Sequence, residues 1–119
     1  MTVENTIVTK SKDFAIRCVN AYKFLSDRQH EYVMSRQLLK SGTSIGANVK
    51  EAIRGQTKPD FGAKMNIALK EASETEYWIE LLGETGYLDA KMTESLLADC
   101  VELLRLLTSI VKTTFADNK

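Results

Sequence analysis

Residues 36–52, RQLLKSGTSIGANVKEA, and residues 61–89, FGAKMNIALKEASETEYWIELLGETGYLD, are separated only by the short stretch around Pro59. Both read with helical periodicity. In the first, Leu38, Ile45, Val49 and Ala52 return on one face, with Gly42 at the missing turn. In the second, Phe61, Met65, Ala68, Ala72, Thr75, Ile79 and Leu82 alternate by four and three, the spacing of a bundle seam. Between them, Thr57-Lys58-Pro59-Asp60 predicts a helix start. Proline in the first turn lacks a donor the helix does not need, and Asp60 suits the positive end of the dipole. Gly86 predicts the stop, with Tyr87 and Leu88 folding back over the last turn. Gly42 and Gly46 each cost about 1 kcal/mol relative to alanine inside a helix. Either another helix comes close there, or the chain breaks near Ser41–Ser44.

Two further helices flank this pair. Before it, Ile7, Phe14, Cys18, Ala21 and Leu25 predict a helix over Glu4–Ser26, and the polar run Ser26–His30 predicts a turn. The second helix is then expected over Tyr32–Gly55. After the pair, Asp89 is an expected N-cap. The fourth helix carries two apolar stripes: Leu96, Cys100, Leu103, Leu107 and Ile110, and beside them Leu97, Val101, Leu104, Val111 and Phe115. The edge helix of a monomeric bundle needs one stripe, so the second predicts deep burial or a contact with another subunit. Short connections make successive helices antiparallel. The predicted fold is all-α, an antiparallel up-down-up-down four-helix bundle, with residues 1–119 as one domain.

Composition agrees and narrows the function. The chain has 119 residues, one proline and six glycines, too few breakers for many short strands. Formal net charge is zero, which does not mark a nucleic-acid binder by itself. The charge is nevertheless divided. Residues 1–57 carry nine basic and five acidic groups, or +4, and residues 58–119 carry seven and eleven, or −4. Cys18 and Cys100 lie within helical patterns and read as small buried apolar residues. No run of apolar residues reaches the length of a membrane span or of a signal peptide, so the expected compartment is the cytoplasm, with no membrane partner.

Helix two carries two polar lines. Gln37, Ser41, Ser44, Asn48 and Glu51 recur at four and three beside the apolar stripe, and Glu71 and Glu74 share a face of helix three with Trp78. These seven polar residues predict a hydrogen-bonded interhelical layer that fixes register or a subunit contact. Arg36, Lys40, Lys50 and Arg54 form a second, basic line. It reads either as a solvated face or as a surface for the phosphates of RNA or DNA.

The segment QLLKSGTSIGANVKEA resembles one signature of the bacterial 23S rRNA intervening-sequence proteins, and NIALKEASETEYWIELLGETGYL resembles the other. The two cover most of the chain in the expected order. That family is similar in fold to the accessory proteins of diversity-generating retroelements. The resemblance implies an antiparallel bundle that assembles into a five-fold barrel, so a homopentamer is expected. It also implies that the Gln, Ser, Asn and acidic set belongs to the family signature.

Catalysis is not indicated. A di-metal carboxylate site takes a Glu-x-x-His pair from each of two helices. Here the one histidine, His30, falls in a turn. No serine has a neighbouring histidine or follows a strand, and Gly42–Gly46 lacks the lysine and strand of a phosphate loop. The expected function is a non-enzymatic homo-oligomeric scaffold, without cofactor or metal, binding nucleic acid or a nucleic-acid enzyme. The alternatives are a protein-partner adaptor and an enzyme with a polar site along Gln37–Glu51.

Overall fold

The computed structural model describes residues 2–116, the side chains of Val3 and Glu4 excepted. It contains four α-helices: α1 (Val3–Asp27), α2 (Met34–Ile53), α3 (Lys58–Glu84) and α4 (Ala90–Ala116). They form a rod of 48 × 24 × 21 Å. Cross-helix contacts give the topology directly. Ser41 meets Thr75 while Glu51 meets Lys64, so α2 and α3 are antiparallel. Lys10 meets Glu102 while Arg17 meets Asp99, so α1 and α4 are antiparallel too. Each helix packs on two neighbours, and the backbones of the diagonal pairs α1/α3 and α2/α4 stay more than 8 Å apart at their Cα atoms. This is the up-down-up-down bundle.

Each helix begins and ends for a local reason. Thr2 Oγ1 accepts the Asn5 amide at 3.1 Å, Thr57 Oγ1 that of Asp60 at 3.2 Å, and Asp89 Oδ1 that of Met92 at 2.7 Å. These caps satisfy amides that the first turn leaves without a partner. Gly86, at φ +83°, closes α3. Its amide reaches the Gly83 carbonyl at 3.1 Å, and the Tyr87 amide reaches that of Leu82 at 3.0 Å. That paired return is a Schellman motif, and it folds Leu88 into the core at 1% exposure.

α2 begins at Met34, two residues later than its sequence suggests. The cause is Glu31. Its buried carboxylate accepts the amides of Val33 at 3.2 Å, Met34 at 3.1 Å and Ser35 at 2.7 Å, while its carbonyl accepts the Ser35 hydroxyl at 2.7 Å. Tyr32 and Val33 are left in the turn, 49% and 73% exposed. His30, just before, adopts φ +54°, unusual for a residue with a side chain.

The core follows the predicted stripes. Ile7, Phe14, Leu25, Leu38, Ile45, Met65, Ile79, Leu82, Leu103 and Leu107 are all essentially buried. α2 runs unbroken through Gly42, which settles the choice between a break and a close approach. The second stripe of α4 lies towards α3. Leu97, Leu104 and Val111 pack half-buried at the edge of the core. Phe115 crosses Gly62 so closely that a Cβ there would lie 3.0 Å from its ring. α3 therefore covers part of that stripe, while Phe115 stays 45% exposed.

Candidate nucleic-acid surface and interhelical polar layer

The middle of the bundle is built from small residues. Cys18 of α1 rests on Gly42 of α2, where an added Cβ would come within 2.9 Å of the Cys18 Cβ and collide with its sulfur. Beside that contact, Ser41 and Thr75 are both fully buried. Thr75 Oγ1 lies 2.8 Å from Ser41 Oγ and 2.7 Å from the Glu71 carbonyl. A hydroxyl has one proton, so the two contacts are best met as a relay: Ser41 donates to Thr75, and Thr75 donates to the carbonyl. From the other side Cys100 Sγ donates to the Ala72 carbonyl at 3.3 Å. Burial pushes both thiols up to about 12, Arg17 opposing the shift at Cys18, and Glu76, Cys18 and Glu80 adding to it at Cys100. Both cysteines are free and neutral, inert small core residues rather than nucleophiles.

The seven residues of the polar layer divide by depth. Only Ser41 joins another helix inside the core. Ser44 Oγ donates back to the Lys40 carbonyl at 2.6 Å, and Asn48 Nδ2 to the Ser44 carbonyl at 2.8 Å, both within α2. Glu51 crosses to Lys64 of α3 at 3.1 Å, but in solvent. Glu74 accepts the Trp78 indole at 3.1 Å along α3. Gln37 is exposed. Glu71 is half-buried at the same seam, and its carboxyl is held above the usual range by burial and by Glu74, against the pull of Lys40. The layer is thus one buried bond with a rim of short-range polar contacts. Thr75, its essential partner, was visible in the sequence only as a polar residue within an apolar seam.

Arg36, Lys40, Lys50 and Arg54 all face solvent on the outer side of α2. From first to last they span about 27 Å at 1.5 Å per residue. Among the described residues none of the four makes a side-chain hydrogen bond or ion pair, in contrast to Lys10, Arg17 and Lys64. Thr43 and Ala47 divide the line into two pairs, Arg36 with Lys40 and Lys50 with Arg54. The second pair also borders a groove between α1 and α2.

His30 is exposed, with Nδ1 3.2 Å from the Tyr32 hydroxyl. Among the described residues no group of three or more His, Cys, Asp or Glu side chains could hold a metal ion. No helix among them is long and apolar enough to cross a membrane. What remains is a class of protein: an all-α four-helix bundle with a waist of small residues and a line of exposed basic residues along α2.

Comparison with known proteins places the chain within that class. It belongs to the family described as 23S rRNA-intervening sequence protein, which matches residues 3–109. A crystal structure of a protein of unknown function from the S23 ribosomal protein family of Bacteroides thetaiotaomicron VPI-5482 is 53% identical, with a TM-score of 0.91. The match covers 93% of this chain and 99% of that one. No curated protein matches the sequence.

Proposed function

We propose that the chain is a non-enzymatic helical scaffold that self-associates, as a pentamer, and holds nucleic-acid phosphate along the outer face of α2. The observation that carries the reading is the exposed line of Arg36, Lys40, Lys50 and Arg54, none of which makes an ion pair among the described residues, although Lys40 attracts the Glu71 carboxylate. Exposed cations outside ion pairs can displace the counterions of a phosphate backbone. The description of the relative as a member of an S23 ribosomal protein family supports the same class of partner. Self-association supports it further, because a ring repeats the line on every subunit and adds weak contacts through multivalency. Half-exposed apolar residues on α3 and α4, Ile67, Tyr77 and Phe115 among them, supply surface for the association.

Phosphate contacts position without reading bases, so binding should tolerate any sequence and weaken steeply with salt. Fluorescence anisotropy with a labelled RNA and a labelled duplex, at low and physiological salt, measures both properties. The double variant Arg36→Glu/Lys40→Glu should weaken binding at least tenfold for every sequence while leaving helix content and particle mass unchanged. Absence of binding at low salt removes the nucleic-acid partner and leaves a protein-partner adaptor. Light scattering on the eluting particle tests the other half, and a mass of 13.4 kDa at all micromolar concentrations overturns self-association.

A further inference from the structure

The pair Lys50 and Arg54 faces a surface that phosphate does not explain. Between α1 and α2 lies a groove whose floor is apolar, formed by Val8, Ala15, Gly46, Ala47, Val49 and Ile53. Its charged rim is Lys12, Lys50 and Arg54, and no acid lines it. Val8 and Ile53 remain 39% and 42% exposed. The groove is shallow-walled because small residues line it, and at Gly46 the helices are so close that a Cβ would lie 3.3 Å from the Ser11 carbonyl oxygen. A sugar-phosphate backbone gains nothing from an apolar floor. An amphipathic helix with acidic edges gains from both floor and rim.

Such a helix face exists on this same chain. On the outer side of α3, Glu74, Tyr77, Leu81 and Glu84 follow one another at three, four and three. Glu74 and Glu84 are exposed, Tyr77 is 55% exposed, and Leu81 is half-exposed. This face lies opposite the buried seam of α3 (Met65, Ala68, Ala72, Thr75, Ile79 and Leu82), and only its end at Glu84 borders a groove against α4. It therefore cannot reach the groove of its own subunit. The lengths agree: Glu74 to Glu84 and Thr43 to Arg54 each cover about 15–17 Å at 1.5 Å per residue. Charge and apolar content agree as well, carboxylates against Lys12, Lys50 and Arg54, and Tyr77 with Leu81 against the Val8–Ile53 floor.

We infer that the Glu74–Glu84 face of α3 in one copy seats in the α1/α2 groove of the next. The inference rests on the self-association proposed above and names its interface. Two different surfaces meet, so the contact is heterologous and propagates around a ring or along a filament. It gives a reason why a chain of zero net charge divides into a half of +4 and a half of −4. It also divides the basic line, Lys50 and Arg54 serving the neighbour and Arg36 and Lys40 remaining for phosphate.

The test is charge reversal followed by light scattering on the eluting particle, with circular dichroism as the control for folding. All the substituted positions are exposed. Lys50→Glu/Arg54→Glu and Glu74→Lys/Glu84→Lys should each reduce the particle to 13.4 kDa. The chain carrying all four reversals should regain the native mass. An equimolar mixture of the two double variants should also assemble, since each then offers the surface the other lacks. If either double variant keeps the native mass, or if helical variants fail to reassociate when combined and when mixed, the interface is overturned while self-association stands. A native protein that is itself 13.4 kDa overturns the interface and the self-association together.

Discussion

Where α1 meets α2, the two helices touch on sulfur and glycine; where α1 meets α4, they touch on arginine, lysine and carboxylate. The first contact is dry. Cys18 fills the space over Gly42, and Gly46 lies against the Ser11 backbone. The second is wet. Arg17 holds Asp99 at 2.7 Å and Ser95 at 2.9 Å, Lys10 holds Glu102 at 3.1 Å, and all these groups remain substantially exposed. It is also the least extensive of the four helix contacts. A close-packed interior admits one register, because a shift of one residue puts side chains where there is no room. Long charged side chains reach across a gap and accommodate small shifts. The α1/α2 side should therefore define the fold, and the α1/α4 side should close it.

The largest effect should come from filling the dry contact. Alanine is favoured over glycine inside a helix by about 1 kcal/mol. At Gly42 that gain competes with a collision against a buried sulfur. Overpacking of this kind costs about 1–3 kcal/mol and sometimes more, so the collision wins. Gly42→Val should lower stability by about 3 kcal/mol or prevent folding, and Gly42→Ala should destabilise despite its better propensity. Cys18→Ala combined with Gly42→Ala should recover only the part of that loss due to the sulfur, because the Cβ of residue 18 itself lies 2.9 Å from the added Cβ. Gly46→Ala, which meets only a 3.3 Å contact, should be near neutral. Urea unfolding followed by circular dichroism compares all four. A stabilised Gly42→Ala would show that the approach of α1 and α2 is looser than the packing indicates.

A smaller effect belongs to the buried bond between α2 and α3. Removing one hydroxyl of a buried pair strands the other, at a cost of about 1–3 kcal/mol. Thr75→Val strands the Ser41 hydroxyl and should cost about that much, while Ser41→Ala leaves Thr75 donating to the Glu71 carbonyl and should cost less. The double variant should cost less than the sum by about 1 kcal/mol, since neither group then lacks a partner. Strict additivity in the double-mutant cycle would mean that Ser41 and Thr75 act independently, each through its own helix.

These two sites also show what the sequence could and could not reveal. The α3 start at Pro59 and Asp60, the Asp89 cap and the Gly86 stop were legible because such signals act on residues within four positions of themselves. The glycines at 42 and 46 announced a close neighbour, but which residue fills the space depends on the register of α1, which no local pattern encodes. Glu31 was missed for a related reason. Tyr32 and Val33 extend the apparent helix backwards, and only the folded chain shows the carboxylate closing on three amides ahead of them. The polar stripe gave a face but not a depth. Gln37, Ser41, Ser44, Asn48 and Glu51 share a side of α2, yet Ser44 and Asn48 bond to carbonyls of their own helix, as short polar side chains readily do. Which of them reaches a neighbour is decided by the α2/α3 register. The basic line needed no register, since its members lie on α2 or at its C-cap, Arg54, and are all exposed.

The smallest effect should come from the wet contact, and it sharpens the comparison most. Arg17 makes three contacts to α4: Nη1 to Asp99 at 2.7 Å and to the Ser95 carbonyl at 3.1 Å, and Nη2 to the Ser95 hydroxyl at 2.9 Å. By number this rivals any polar site in the molecule. Yet the Arg17 and Asp99 side chains are 37% and 47% exposed, and those of Lys10 and Glu102 42% and 50%. At such exposure water and salt screen the attraction, and ordering two long side chains offsets much of what remains. Arg17→Ala, Asp99→Ala and Lys10→Ala should each cost less than about 1 kcal/mol. Thermal unfolding at low and at near-molar salt separates this from packing, because the penalties at Arg17 and Lys10 should shrink with salt while the Gly42 penalty should not. A loss at Arg17 that equals the Gly42→Ala loss and persists in high salt would reverse the ranking. The α1/α4 seam would then share with α1/α2 the task of fixing the register.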